Sequence, residues 1–260
     1  MTAEDSPYVV RLAGTTEDQI AAQRLRYAVF VDELGGSGPM VDHAARLERD
    51  AFDPYFDHLV LVDRRRDPLD LDHVVGVYRV MPLDRRAAAQ RFYSETEYDL
   101  TPLLASGRRL LELGRSCVDR NHRGGSAMFL LWNALADYVL EREIEVLFGA
   151  ASFHGTDLGA LAQPLSWLHH HHLAPPEMRA QVLPQHRQPM DLVAPECLDR
   201  KAAMAATPAL IKAYLRLGGF VGDGAFVDHA FNTTDVCLVM DTGLMSARHR
   251  EFYLRKSRAA

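Results

Sequence analysis

Two ionisable residues interrupt an apolar run at Leu111-Glu112-Leu113-Gly114-Arg115-Ser116-Cys117. The run reads as a central strand, and charges buried there need partners or a task. Residues three apart in a regular strand face opposite sides. A bulge near Gly114 would bring Glu112 and Arg115 to one side, and bulges recur beside active sites. The pair is then either catalytic or a structural ion pair with Arg79 or Asp50. A second group, Glu48-x-Asp50-x-x-Asp53, places three carboxylates in a loop, with Arg26 on a helix and Arg79 on a strand. Loop carboxylates usually face solvent. These could instead hold a cationic substrate or orient the arginines. A third group, Arg120, His122 and Arg123 before Gly124-Gly125-Ser126, opens a helix. Helix N-termini bind phosphate through unpaired N–H groups, and glycines permit close approach, although a plain strand-to-helix turn has the same pattern.

Two further groupings carry less. His169-His170-His171-His172 on a helix would point in four directions, so the four cannot ligate one ion, and no metal site is expected. Cys117 with His122 and Asp119 could form a thiol nucleophile and base. A cysteine in an apolar strand is more often inert packing.

The elements that must position these groups follow from the pattern. Tyr8–Leu12 is a first strand, and Thr16-Glu-Asp-Gln19 is a capping box opening a helix to about Leu34, before Gly35. Strands are expected at His58–Val62, Val74–Val80, Leu110–Val118 and Ile144–Ala151, with an apolar helix at Ala127–Leu140 between the last two. Strand, glycine loop, helix and strand make a βαβ unit with a parallel pair. A helical stretch Thr156–His172, a Pro-rich connector, a helix Pro208–Leu217 and strands Ala225–His229 and Thr234–Met240 complete the order. The expectation is one α/β (α+β) domain over residues 1–260: a mixed sheet with flanking helices, a helical insertion near 156–206 and a basic tail near 243–260.

Composition narrows the class. The 260 residues are 48% hydrophobic and 25% charged, ordinary for a globular chain with a large core. No apolar run approaches the ~20 residues of a membrane span, and the acidic start is no secretion signal. Three cysteines, far apart, fit a reducing compartment. These features point to the cytoplasm. The net charge of −6 argues against nucleic acid as the main partner. The tail from Arg248 to Arg258 is basic and amphipathic. It reads as a solvated helix or as a strip for an acidic carrier protein or anionic lipid at the inner membrane.

Several motifs together resemble known families. Arg26-x-x-x-Phe30, Glu48-x-Asp50-x-x-Asp53, Gly76-Val-Tyr-Arg79 and Glu112-x-x-Arg115 are similar to the motif series of acyl-homoserine-lactone synthases, which have a GNAT-like acyltransferase fold. Gly35-Gly36 stands where that family carries a tryptophan, which counts against lactone formation. Gln23-Arg-Leu-Arg-Tyr-Ala-Val-Phe30, Leu111–Val118, Arg123-Gly-Gly125, Leu147–Phe153, Leu173-Ala-Pro-Pro176, Tyr214–Gly218 and Phe231–Val236 resemble the hemolysin-like ornithine-lipid N-acyltransferases. That resemblance implies transfer of a 3-hydroxyacyl chain from acyl carrier protein to the α-amine of ornithine, giving lyso-ornithine lipid with no cofactor beyond the thioester. It implies a pantetheine arm between the Leu110–Val118 and Ile144–Ala151 strands, with its phosphate at Arg123, Gly124, Gly125 and Ser126. Glu112 is the implied base. Arg115 and Arg79 would grip the amino-acid carboxylate, and Asp50 or Asp53 would meet the side-chain ammonium. Arg26 and Phe30 would complete the acceptor site. Alternatives are acylation of another amine, lactone synthesis included, or a non-catalytic carrier-binding module.

Overall fold

The computed structural model describes residues 6–123 and 126–244. Two compact units share the chain, each assembled from two stretches of sequence: Met1–Met81 with Leu113–Arg142, and Pro82–Glu112 with Glu143–Ala260.

In the first unit, strand β1 (Tyr8–Leu12) pairs antiparallel with β2 (Asp57–Asp63), and β2 pairs antiparallel with β3 (Val74–Pro82). Strand β4 (Leu110–Val118) neighbours β3 and contributes its residues from Leu113 onward. The β2–β3 ladder slips once. Leu61 faces Gly76 whereas Val62 faces Val74, so Val75 is an extra residue in β3. A one-residue bulge inverts the side-chain alternation. It thereby lets Val74 and Val77 pack on one face with Val60, Val62 and Cys117 against Ala21, Ala22, Leu25 and Val29. Leu61, Val75 and Val118 pack on the other face against Ala127 and Leu131.

Helix α1 (Thr16–Arg26) covers the first of these faces, and α2 (Ala127–Glu141) covers the second. At Gly76 a Cβ would stand 2.9 Å from Leu131 Cδ1 and 3.2 Å from Leu61 Cβ, so glycine lets α2 lie close to the sheet. The start of α1 is shifted from the expected box by one residue. Thr15 is the N-cap, accepting from Asp18 N, and the Asp18 carboxylate reaches back to the cap. Asp18 also binds Arg11 and His73. The expected helical run to Leu34 changes winding after Arg26: Tyr27–Glu33 forms a π-helix. Such wider turns concentrate at functional sites. This one begins directly after Arg26.

In the second unit, Leu110, Leu111 and Glu112 of β4 pair parallel with Val146, Leu147 and Phe148 of β5 (Val146–His154). Strand β5 pairs antiparallel along its whole length with the late strand Thr233–Asp241. Phe220–Val221 and Phe226–Asp228 pair antiparallel with that same late strand. Parallel and antiparallel pairs in one sheet, with helices Ala162–His172, Arg200–Ala206 and Ala209–Arg216, bear out the mixed α/β class. Its core includes Phe92, Tyr98, Leu103, Leu110, Phe148 and Leu165. Phe92 meets Phe148 edge-on at 4.9 Å. The Pro-rich connector is pinned by buried Ser166, whose hydroxyl donates to Met190 O and accepts from Leu192 N and Val193 N. Among the described residues no helix is long and apolar enough to cross a membrane.

Candidate active site

The arginines and carboxylates singled out in the sequence meet in the first unit as a closed ring. Arg26 bonds Glu48 through Nε and Asp53 through Nη1 at 2.7 Å. Arg79 Nη1 donates to Asp53 at 2.6 Å and to Asp50 at 2.7 Å. Arg115 closes the circuit, 3.5 Å from Asp50 and 3.2 Å from Glu48. Three cations alternate with three anions, so the assembly is neutral. That neutrality is what permits Arg26 and Arg79, both 0% exposed, to lie inside the protein. Gln23 Nε2 and His58 Nε2 tie Asp53 further, through its carboxylate and its carbonyl. The Arg79 guanidinium lies 4.1 Å from the centre of the Phe56 ring.

The electrostatics follow from the ring. Burial alone would raise the Glu48, Asp50 and Asp53 carboxyls, but their arginine neighbours outweigh it and hold all three below the ordinary carboxylate range. Burial likewise opposes the Arg26 cation, and Glu48 and Asp53 more than restore it. Carboxylates depressed in the folded chain bind protons less readily than in the unfolded chain. Their stabilisation is therefore complete above about pH 4 and is lost as pH falls through the lowered values. The urea midpoint is expected to fall steeply below that pH, and in Asp53→Asn the acid limb should flatten. An unchanged acid limb in that variant would count against the ring as the source.

In β4, one residue after Gly114, Arg115 has φ 50, in the left-handed region. Strained backbone of this kind gathers at functional positions, and here the side chain reaches Glu48, Asp50 and Met40 Sδ. Phe30, on the π-helix, packs at the edge of the α1 core. Glu112 lies in the second unit, 1% exposed. Both its oxygens accept backbone N–H groups, Oε2 from Tyr93 at 2.9 Å and Oε1 from Ser94 at 2.6 Å.

The glycine loop is described at its two ends only, since Gly124, Gly125 and the basic tail fall outside the described residues. Ser126 is the residue before α2. Arg123 donates Nε to Val118 O at 2.9 Å and pairs with Glu33 at 2.9 Å. Glu33 and Gln23 were not singled out from sequence. Glu48 was read only within its motif, yet it bridges two arginines.

The alternatives set aside in the sequence can be placed as well. The Cys117 thiol is buried in the α1 core, which pushes it up to about 12, and a thiol nucleophile needs the thiolate. Cys117→Ala is expected to retain acyl transfer within a few-fold; a loss beyond a hundredfold with normal melting would restore the thiol mechanism. His169–His172 end the helix Ala162–His172, where His171 stacks on Trp167 with ring centres 3.9 Å apart. Among the described residues, no group of three or more His, Cys, Asp or Glu is arranged to hold a metal.

Comparison with known proteins completes the picture. The acetyltransferase (GNAT) domain model matches residues 25–133, which contain the six members of the ring together with Phe30, Glu112 and Arg123–Ser126. An N-acyl amino acid synthase from uncultured soil microbes, FeeM, superposes with a TM-score of 0.51 at 12% identity, covering 91% of each chain, a likeness of fold. An L-ornithine N(alpha)-acyltransferase of Rhodobacter capsulatus is 64% identical over 98% of both chains. One of Brucella abortus is 39% identical over 94% of this chain and 88% of its own length. The chain is an acyltransferase and belongs to the L-ornithine N(alpha)-acyltransferase family.

Proposed function

We propose that the protein transfers a 3-hydroxyacyl chain from acyl carrier protein to the α-amine of L-ornithine, giving lyso-ornithine lipid. The observation that carries the reading is near-full-length kinship at 64% identity with an enzyme named for that acceptor. In this reaction the free α-amine attacks the thioester carbonyl, a C–N bond forms, the C–S bond breaks, and pantetheine thiol leaves. The nitrogen gives up a proton, which Glu112 takes directly or through water and which finally reaches the departing sulfur. A backbone N–H of β4 beside Arg115 holds the developing oxyanion.

The ring supports a division of labour. Arg26 and Arg79 are each fixed between two carboxylates at short distance. Arg115 is the member best able to receive the amino-acid carboxylate, with longer contacts and 14% side-chain exposure. Arg79 then acts chiefly by orienting Asp50 and Asp53, and either carboxylate can meet the side-chain ammonium, with Arg26 and Phe30 backing the site. The pantetheine arm lies alongside the parallel pairing of Leu110–Glu112 with Val146–Phe148 in the second unit. Its phosphate is held by Arg123, Gly124, Gly125 and Ser126 at the start of α2. The basic tail suits an acidic carrier or anionic lipid.

The donor is tested by presenting the same 3-hydroxyacyl group on carrier protein and on coenzyme A. Carrier protein should give the higher kcat/KM by about tenfold or more. Equal use of both thioesters would remove the carrier from the account.

A further inference from the structure

Two arginines at the entrance to the glycine loop share one internal anion. Glu33, the last residue of the π-helix, takes Arg123 Nη1 on Oε2 at 2.9 Å, and its Oε1 lies 3.6 Å from Arg120 Nε. The arginine side chains are 47% and 64% exposed, whereas that of Glu33 is 15% exposed. The cations therefore reach inward from the surface to a carboxylate already in place. Arg123 does not need Glu33 to hold its direction, because its Nε is fixed independently on Val118 O at 2.9 Å. What Glu33 does to this pair is offset one of its two positive charges.

Guanidinium groups take carboxylate and phosphate in the same fork geometry, and the more highly charged phosphate is the stronger partner. Exposed pairs of this kind hold weakly, so exchange is feasible. We infer that Glu33 is the resident counter-ion of the donor's phosphate site, occupying Arg120 and Arg123 until the pantetheine phosphate displaces it and so lowering the donor's affinity. The inference rests on the phosphate reading of residues 123–126 given above. A site that carries its own anion excludes simple anions and favours a donor with additional contacts, as a carrier protein has.

The test is steady-state kinetics of the full chain with 3-hydroxyacyl carrier protein and ornithine at two ionic strengths, for wild type, Glu33→Gln and Arg123→Ala. Glu33→Gln is expected to lower the donor KM by about fivefold at low salt. It should also steepen the dependence on salt and leave the ornithine KM unmoved. A purely structural role would instead lower the melting temperature and shift both KM values. A donor KM that rises or stays constant in Glu33→Gln overturns the inference, while Arg123→Ala, by raising the donor KM, keeps the phosphate site. No change in Arg123→Ala removes the phosphate site and the inference with it.

Discussion

Glu112→Gln is expected to lower kcat by about 10²–10⁴, the usual worth of a positioned proton acceptor. The two backbone donors make this substitution more than a change of charge. Tyr93 N and Ser94 N each present a hydrogen to one carboxylate oxygen. A glutamine satisfies one of them and sets its own NH₂ against the other, leaving a buried donor unpaired at a cost of about 1–3 kcal/mol. Loss of activity alone therefore does not separate proton transfer from turn anchoring. The pH–rate profile does. A base gives kcat/KM an ascending acid limb that disappears in the glutamine variant, whereas an anchor lowers the whole profile without changing its shape. Glu112→Asp provides the second arm: it keeps a carboxylate and should restore part of the rate with the acid limb intact. A glutamine variant with near-normal turnover, or a limb unchanged in shape, would remove Glu112 as the base.

The second large effect concerns stability. Asp53→Ala removes the carboxylate shared by Arg26 and Arg79 and leaves two buried guanidinium groups short of charge. Breaking a buried ion network in this way costs about 3–5 kcal/mol. For a chain of this size that corresponds to a fall in melting temperature of about 10 °C. Arg115→Ala, which removes the most exposed member with the longest contacts, should cost markedly less stability while raising the ornithine KM. The two variants together separate the part of the ring that holds the fold from the part that faces substrate. Equal destabilisation by both would make the ring a single structural unit. A melting temperature unchanged in Asp53→Ala would mean that the ring does not hold the first unit together.

Much of this arrangement was legible in the residues. The Leu110–Val118 strand was readable to the residue because an apolar run has no competing helical period there. The spacing Glu48-x-Asp50-x-x-Asp53 signalled that carboxylates and arginines would meet. Which oxygen each guanidinium takes depends on how the loop folds, and Arg46 at φ 55 turns that loop in a way no local pattern announces. The π-helix was hidden because its apolar spacing also suits an ordinary helix. The capping box was read at Thr16, one residue late, because the box at Thr15 is supported at a distance, by Arg11 and His73 on Asp18. The anchoring of Glu112 was invisible for the same reason: its donors come from a turn 18 and 19 residues earlier.

The most direct measurement is the mass and fragmentation pattern of the product formed from 3-hydroxyacyl carrier protein and L-ornithine alone. The account predicts ornithine plus one 3-hydroxy fatty acid less water, with the amide on the α-nitrogen and no requirement for S-adenosylmethionine. An amide on the side-chain nitrogen, a lactone formed only with S-adenosylmethionine, or carrier binding without any product would contradict it.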